Sequence, residues 1–119
     1  MVFEQSERRI NMRIKRLPEW VYKTVRATVQ GYTARANAIT YGEVRGGVKC
    51  KYEHLNNVID DALREVFDDP YVQNIFRKDI GQRIGWQFSS ANVIYSCDAY
   101  KRSKRKAIYL IAKSLNLTA

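Results

Sequence analysis

The sequence predicts an all-α fold, a small bundle of four to six helices. Two observations carry this expectation. Apolar residues recur at steps of three and four in several segments, and these segments open with residues suited to a helix start. The chain has 119 residues with only six glycines and two prolines. That is the length of one domain, and the composition fits neither disorder nor a fibrous repeat. Residues 1–119 therefore read as a single domain, with a helical part over 1–85 and a helix-turn-helix part over 86–117.

The first clear helix is LPEWVYKTVRATVQGYTARANAI. Pro18 suits a first helical turn, where its missing N–H costs nothing, and Glu19 suits the positive end of the helix dipole. Trp20, Val21, Val25, Val29, Tyr32 and Ala36 form its apolar stripe, with Gly31 as a weak point. A shorter helix over 5–16, with Ile10 and Ile14 on one side, is expected before it. In TYGEVRGGVKCKY (40–52), Gly42, Gly46 and Gly47 interrupt the helical pattern, which predicts a loop or a short β-hairpin near 41–52. The glycine pair beside Arg45, Lys49 and Lys51 would also let backbone amides approach a phosphate, although a flexible connection is the simpler reading.

A helix over about 53–67 follows from the stripe Leu55, Val58, Ile59, Ala62, Leu63 and Val66. Asp60 and Asp61 invite a metal or acid–base reading. Adjacent helical residues point about 100° apart, so a solvated acidic face is preferred. Asp69 is placed as a cap and Pro70 as the first residue of the next helix, which carries Tyr71, Val72, Ile75, Phe76 and Ile80 and ends near Ile84. Ser89-Ser90 would cap a short helix, SSANVIY. Ser96 would cap a longer one from Cys97 to about Leu115, with Asp98 in its first turn. Two helices joined by a tight turn at Tyr95-Ser96, the second heavily basic, form the outline of a helix-turn-helix.

Charge gives this outline a function class. The chain holds 21 Lys and Arg against 12 Asp and Glu, a net +9, which favours a polyanionic partner. The excess is uneven: residues 1–52 carry +7, residues 53–82 carry −4 and residues 83–119 carry +6. In the last part it is concentrated in KRSKRK. In a helix-turn-helix the first turns of the second helix meet base edges. That nominates Cys97, Asp98, Lys101 and Arg102 for base readout and Lys104, Arg105 and Lys106 for the DNA backbone. Lys49, Lys51 and Arg83 are additional phosphate contacts. Tyr100 reads better as a core residue beneath the turn.

Other chemistry finds little support. No apolar run is long enough to span a membrane, and the first twenty residues hold no signal-peptide core, so a cytoplasmic protein is expected. Cys50, Cys97 and the sole histidine, His54, are too few and too scattered for a zinc site and read as reduced, buried thiols and an isolated imidazole. Phosphate-loop, dinucleotide, nucleophile-elbow and zinc-protease motifs are absent. The expectation is a non-enzyme with no catalytic residues, no metal and no cofactor.

The segment from Ser96 to Leu117, SCDAYKRSKRKAIYLIAKSLNL, resembles the C-terminal helix of small phage transcriptional regulators of the RinA/ArpU type, which are similar there to sigma-factor region 4. Ser96 stands at the family's capping serine, Ala99-Tyr100 at the following positions, Arg102 at the basic one, and Ile111-Ala112 with Leu115 and Leu117 at its apolar ending. The stretch before Ser96 lacks the usual Ile-Ala-x-x-Leu start, and Ala99 replaces a common Thr. The resemblance covers about a quarter of the chain. It implies a phage or prophage DNA-binding protein acting on late transcription in the host cytoplasm.

Competing readings use the same basic surface. One is an RNA-binding or DNA-packaging accessory protein; DNA is preferred because no patterned aromatic platform for RNA is visible. Another is a protein-interaction factor inhibiting a host machine, with Trp86 or Tyr95 as anchors. RNA polymerase or another host protein is a further candidate partner, and a homodimer would match paired half-sites. The acidic middle and the Trp20 helix are candidate dimer surfaces.

Overall fold

The computed structural model describes residues 17–85 and 95–118. These form five α-helices: α1 (Glu19–Gln30), α2 (Tyr32–Thr40), α3 (Gly46–Val66), α4 (Pro70–Gln82) and α5 (Cys97–Ser114). No strand occurs among the described residues, so the all-α expectation holds. The helix expected over 5–16, and that expected over 89–95 apart from Tyr95, lie outside the described residues. The first helix of the expected helix-turn-helix is therefore not placed.

Four of the five helices bury an apolar stripe, whereas α2 buries only Ala38. α1 buries Val21, Val25 and Val29, one residue per turn, while Trp20, expected in the same stripe, stays 56% exposed. α3 buries Val58, Ile59, Ala62 and Leu63 as its periodicity predicts. α4 starts as expected: Pro70 is its first residue, and the Asp69 carboxylate accepts from the backbone N–H of Tyr71 at 2.9 Å. α1 packs chiefly on α4, α2 on α3, and α3 on α5. At the α1–α4 crossing a Cβ on Gly81 would lie 3.4 Å from the backbone of Gln30, so the smallest residue sets the interhelical distance. Tyr100, Ala107, Ile111 and Ala112 of α5 share one core with α1, α3 and α4, and Tyr32 of α2 packs against it.

Two boundaries differ from expectation. The helix expected to run through Gly31 is split there into α1 and α2. The Arg35 guanidinium donates to the carbonyl oxygen of Thr28, taking over an acceptor in the last turn of α1. Its Nε donates to Oδ1 of buried Asn56 at 2.7 Å, and Asn56 in turn donates to the carbonyl of Tyr32 at 3.1 Å. This side-chain network replaces continuous helical bonding across the joint.

The hairpin expected near 41–52 does not form. Residues 41–42 are a turn, and Gly46 opens a helix that runs through Lys49, Lys51 and Tyr52. The turn closes α2 in a Schellman arrangement: Gly42 N–H donates to Ile39 and Glu43 N–H to Ala38, with Gly42 at φ +68°. The glycine pair falls at the helix end, where it weakens α3 least. Cys50, expected to be buried, is exposed on this first part of α3.

An aromatic cluster joins α3, α4 and the start of α5. Phe76 lies 4.1 Å from Phe67 and 4.5 Å from Tyr100 between ring centroids, and Tyr95 meets Phe67 and Phe76 edge-on at 6.3 and 6.1 Å. Phe76 has no exposed surface. Replacing it with alanine removes the central ring, and the expected loss is about 3–5 kcal/mol of unfolding free energy by urea denaturation.

Candidate nucleic-acid interface

α5 is fixed at its start by its cap. Ser96 Oγ accepts from the backbone N–H of Ala99 at 3.2 Å, and Asp98 sits in the first turn. Its end is closed by a second Schellman arrangement, with Asn116 at φ +59°, its N–H on Lys113 and the N–H of Leu117 on Ala112. The rotation of the helix about its axis is set from below. Tyr100, Ala107 and Ile111 have almost no exposed surface, and Tyr100 packs on Phe76 as the sequence suggested.

Beneath them lies Asp79 of α4, a carboxylate with no exposed surface. It accepts a hydrogen bond from the Tyr100 hydroxyl and pairs with Lys104 Nζ at 3.2 Å, both at Oδ2. Its Oδ1 accepts from the Gly85 backbone N–H at 2.7 Å. Sequence reading did not single out Asp79. The available signal was an acid at position 79 in the stripe 72, 75, 76, 80, where only a partnered carboxylate is tolerated.

With this face turned inward, Asp98, Lys101, Arg102 and Arg105 are exposed. Their spacing of 0, 3, 4 and 7 places them in one stripe on the outer side of α5. Lys101, Arg102, Arg105 and Lys106 form no salt bridge with another described residue, whereas Lys104 is held by Asp79 and only 27% of its side chain is exposed. Cys97 and Lys106 are half-buried.

The KRSKRK run thus divides into Lys104, which serves the fold, half-buried Lys106, and Lys101, Arg102 and Arg105, which face solvent. Lys49 and Lys51 are exposed on α3, where Lys49 lies 3.8 Å from Glu53. No hydrogen bond or ion pair joins them to α5 among the described residues. Tyr95 is half-buried and engaged in the aromatic cluster, and Trp86 lies outside the described residues.

Arg83 follows the last turn of α4 in a left-handed conformation, φ +55°. With Arg26 of α1 and Lys104 of α5 it lines a cleft of about 200 Å³, whose apolar residues are Val25, Ile80 and Ile108. Tyr22 also borders the cleft. Burial raises its hydroxyl pKa and the Arg105 charge partly offsets that rise, so Arg105 lies near enough to α1 for its charge to be felt there. Arg105 of α5 therefore lies near the cleft that Arg26 and Arg83 line. Arg26 belongs to the basic first part of the chain, to which the sequence had assigned no definite role.

The acidic middle is only partly solvated. Asp60 accepts from the Tyr32 hydroxyl at 3.0 Å and from Arg77 at 2.7 Å, while Asp61 pairs with Arg64 at 2.9 Å on the surface. The two carboxylates serve different partners and do not converge. The Arg77 guanidinium also lies 4.4 Å from the centre of the Tyr32 ring, and burial together with the bond to Asp60 raises the Tyr32 pKa.

Comparison with known families, curated proteins and solved structures finds no match for this chain. No helix among the described residues is long and apolar enough to cross a membrane.

Adjacent cations should respond differently to substitution. Lys104→Met leaves the Asp79 carboxylate buried without its cation and should cost about 3–5 kcal/mol of stability. Arg105→Met should stay within about 0.5 kcal/mol of the parent. Paired urea titrations read the difference. In an ultraviolet pH titration Tyr22 should ionise above pH 10, its ordinary value. Arg105→Gln should raise that midpoint further, because it removes a positive charge that favours the phenolate.

Proposed function

We propose that the protein binds double-stranded DNA through the exposed stripe of α5 and acts as a phage-type transcriptional regulator. The observation that carries this reading is the stripe itself. Lys101, Arg102 and Arg105 stand on one face of a capped helix, without salt bridges to other described residues, while the opposite face is locked into the core. An α-helix with its side chains is about 10–12 Å across and the major groove about 12 Å wide. From Asp98 to Arg105 the helix rises roughly 10 Å, the length of about three base pairs. Arg102 and Arg105 suit guanine edges or phosphates, Lys101 suits phosphate, and Asp98 suits a cytosine amine or the helix start alone.

The resemblance of the Ser96–Leu117 segment to the RinA/ArpU regulators agrees with this reading and supplies its biological class. It carries with it the host cytoplasm as location; RNA polymerase or another host protein is the candidate protein partner, and two copies would read paired half-sites. The half-burial of Tyr95 in the aromatic cluster makes it a poor anchor for the alternative of a host-protein inhibitor.

The test is selection of bound sequences from random duplex DNA, with an RNA pool alongside, followed by gel retardation of the winning site. The double charge reversal Arg102→Glu/Arg105→Glu should abolish retardation without altering the circular dichroism spectrum. Binding that survives with the same salt slope overturns α5 as the interface.

A further inference from the structure

The α1–α4–α5 cleft holds an arrangement that the stripe of α5 does not use. Arg26 of α1, Arg83 just past the end of α4 and Lys104 of α5 line it together with the apolar residues Val25, Ile80 and Ile108. Lys104 is neutralised by Asp79. Arg26 and Arg83 form no salt bridge with any described residue, and Arg105 is near enough to act on Tyr22 beside them. Asp79 is buried and not part of the lining, so once it is set against Lys104 the cleft keeps the positive charge of two arginines.

Arg83 adds a second observation. The position after a helix end with left-handed backbone is ordinarily glycine, because a Cβ there is disfavoured. Here it carries an arginine, and that arginine lines the cleft. Strained residues gather at ligand sites when the strain holds a group in place.

Size and chemistry then select the occupant. At about 200 Å³ the cleft lies below the range of whole drug-sized ligands, roughly 300–1,000 Å³. It fits one small anion with the carbon group attached to it. Two guanidinium groups match phosphate oxygens in planar, bidentate fashion. Apolar walls suit the sugar carbons beside a phosphate.

We infer that this cleft seats a single phosphate group, the backbone phosphate of a nucleic acid strand running off the α5 stripe. Recognition of the phosphate stands on the cleft alone, whereas its source rests on the function proposed above. The seat makes α1 and the end of α4 part of the interface and gives Arg26 a function.

Two measurements on the full chain test this and keep the two ideas apart. The first titrates inorganic phosphate against the protein in chloride buffer of matched ionic strength, reading Tyr22 ring and arginine side-chain resonances by NMR. The second reads the salt slope of DNA binding. Both compare the parent with Arg26→Gln/Arg83→Gly and with Lys101→Gln/Arg102→Gln. Glycine relieves the left-handed strain at position 83, so the first variant keeps its fold, which thermal melting checks.

The expected result is a saturable phosphate response lost only in Arg26→Gln/Arg83→Gly, and a salt slope reduced by about one in that variant, one phosphate being worth about 0.9. A saturable response without any DNA binding supports the phosphate seat and refutes the function proposed above. DNA binding that depends on Lys101 and Arg102, with the slope unchanged in Arg26→Gln/Arg83→Gly, overturns the inference and leaves that function standing. A phosphate response that never saturates, or that persists in Arg26→Gln/Arg83→Gly, also overturns it.

Discussion

The carboxylate of Asp79 organises the C-terminal half of this protein. It is fully buried, and taking an ion out of water is costly unless each oxygen finds donors. Three groups meet that demand: the Tyr100 hydroxyl, the Lys104 ammonium and the Gly85 amide. Two come from α5 and one from the chain just past α4. Satisfying a single charge thus ties the end of α4 to the first half of α5 and selects one rotation for α5. The outer stripe of that helix follows from this choice. Had α5 been turned by one residue, about 100°, Lys101 or Arg105 would face the core and Lys104 would lie in solvent.

Net charge is a blunt guide in such a molecule, because cations are not equivalent. Arg35 is spent on bracing the α1–α2 joint, Arg77 on Asp60 and the Tyr32 ring, and Lys104 on Asp79. Burial lowers the Arg35 pKa, as expected of a guanidinium bracing a joint. What is left for a partner is a smaller set: Lys101, Arg102 and Arg105 on α5, Arg26 and Arg83 around the neighbouring cleft, and Arg45, Lys51, Lys78 and Lys113 elsewhere among the described residues. The surplus counted along the chain is a sum over both kinds.

Local chemistry made much of the fold readable in the sequence. Asp69-Pro70 and Ser96 mark helix starts because one side chain and one missing N–H act within a few residues. The stripe through Val58, Ile59, Ala62 and Leu63 is likewise a short-range pattern. The misreadings have long-range causes. Gly31 alone is a weak signal. The joint depends on Arg35 and on Asn56, which is distant in sequence. Gly46-Gly47 resembles a turn until the helical period through Tyr52 is weighed with it. Asp60 and Asp79 look like members of one acidic stretch, and only the positions of Arg77, Tyr100 and Lys104 distinguish them. The exposed stripe of α5 was legible, except that Lys104 could not be told from its neighbours without Asp79.

The packing of α1 against α4 also bears on how the chain reaches this state. α2 and α3 pair as neighbours in sequence, but α1 docks on a helix that lies three elements further on, with Gly81 allowing the close approach to Gln30. During synthesis α1 leaves the ribosome ahead of α4, and its valines lack that cover until α4 has emerged. Closing that long loop is paid in chain entropy before any contact returns it. In time, then, α1 is secured against its main partner only after α4 is made, although α1 is made before it.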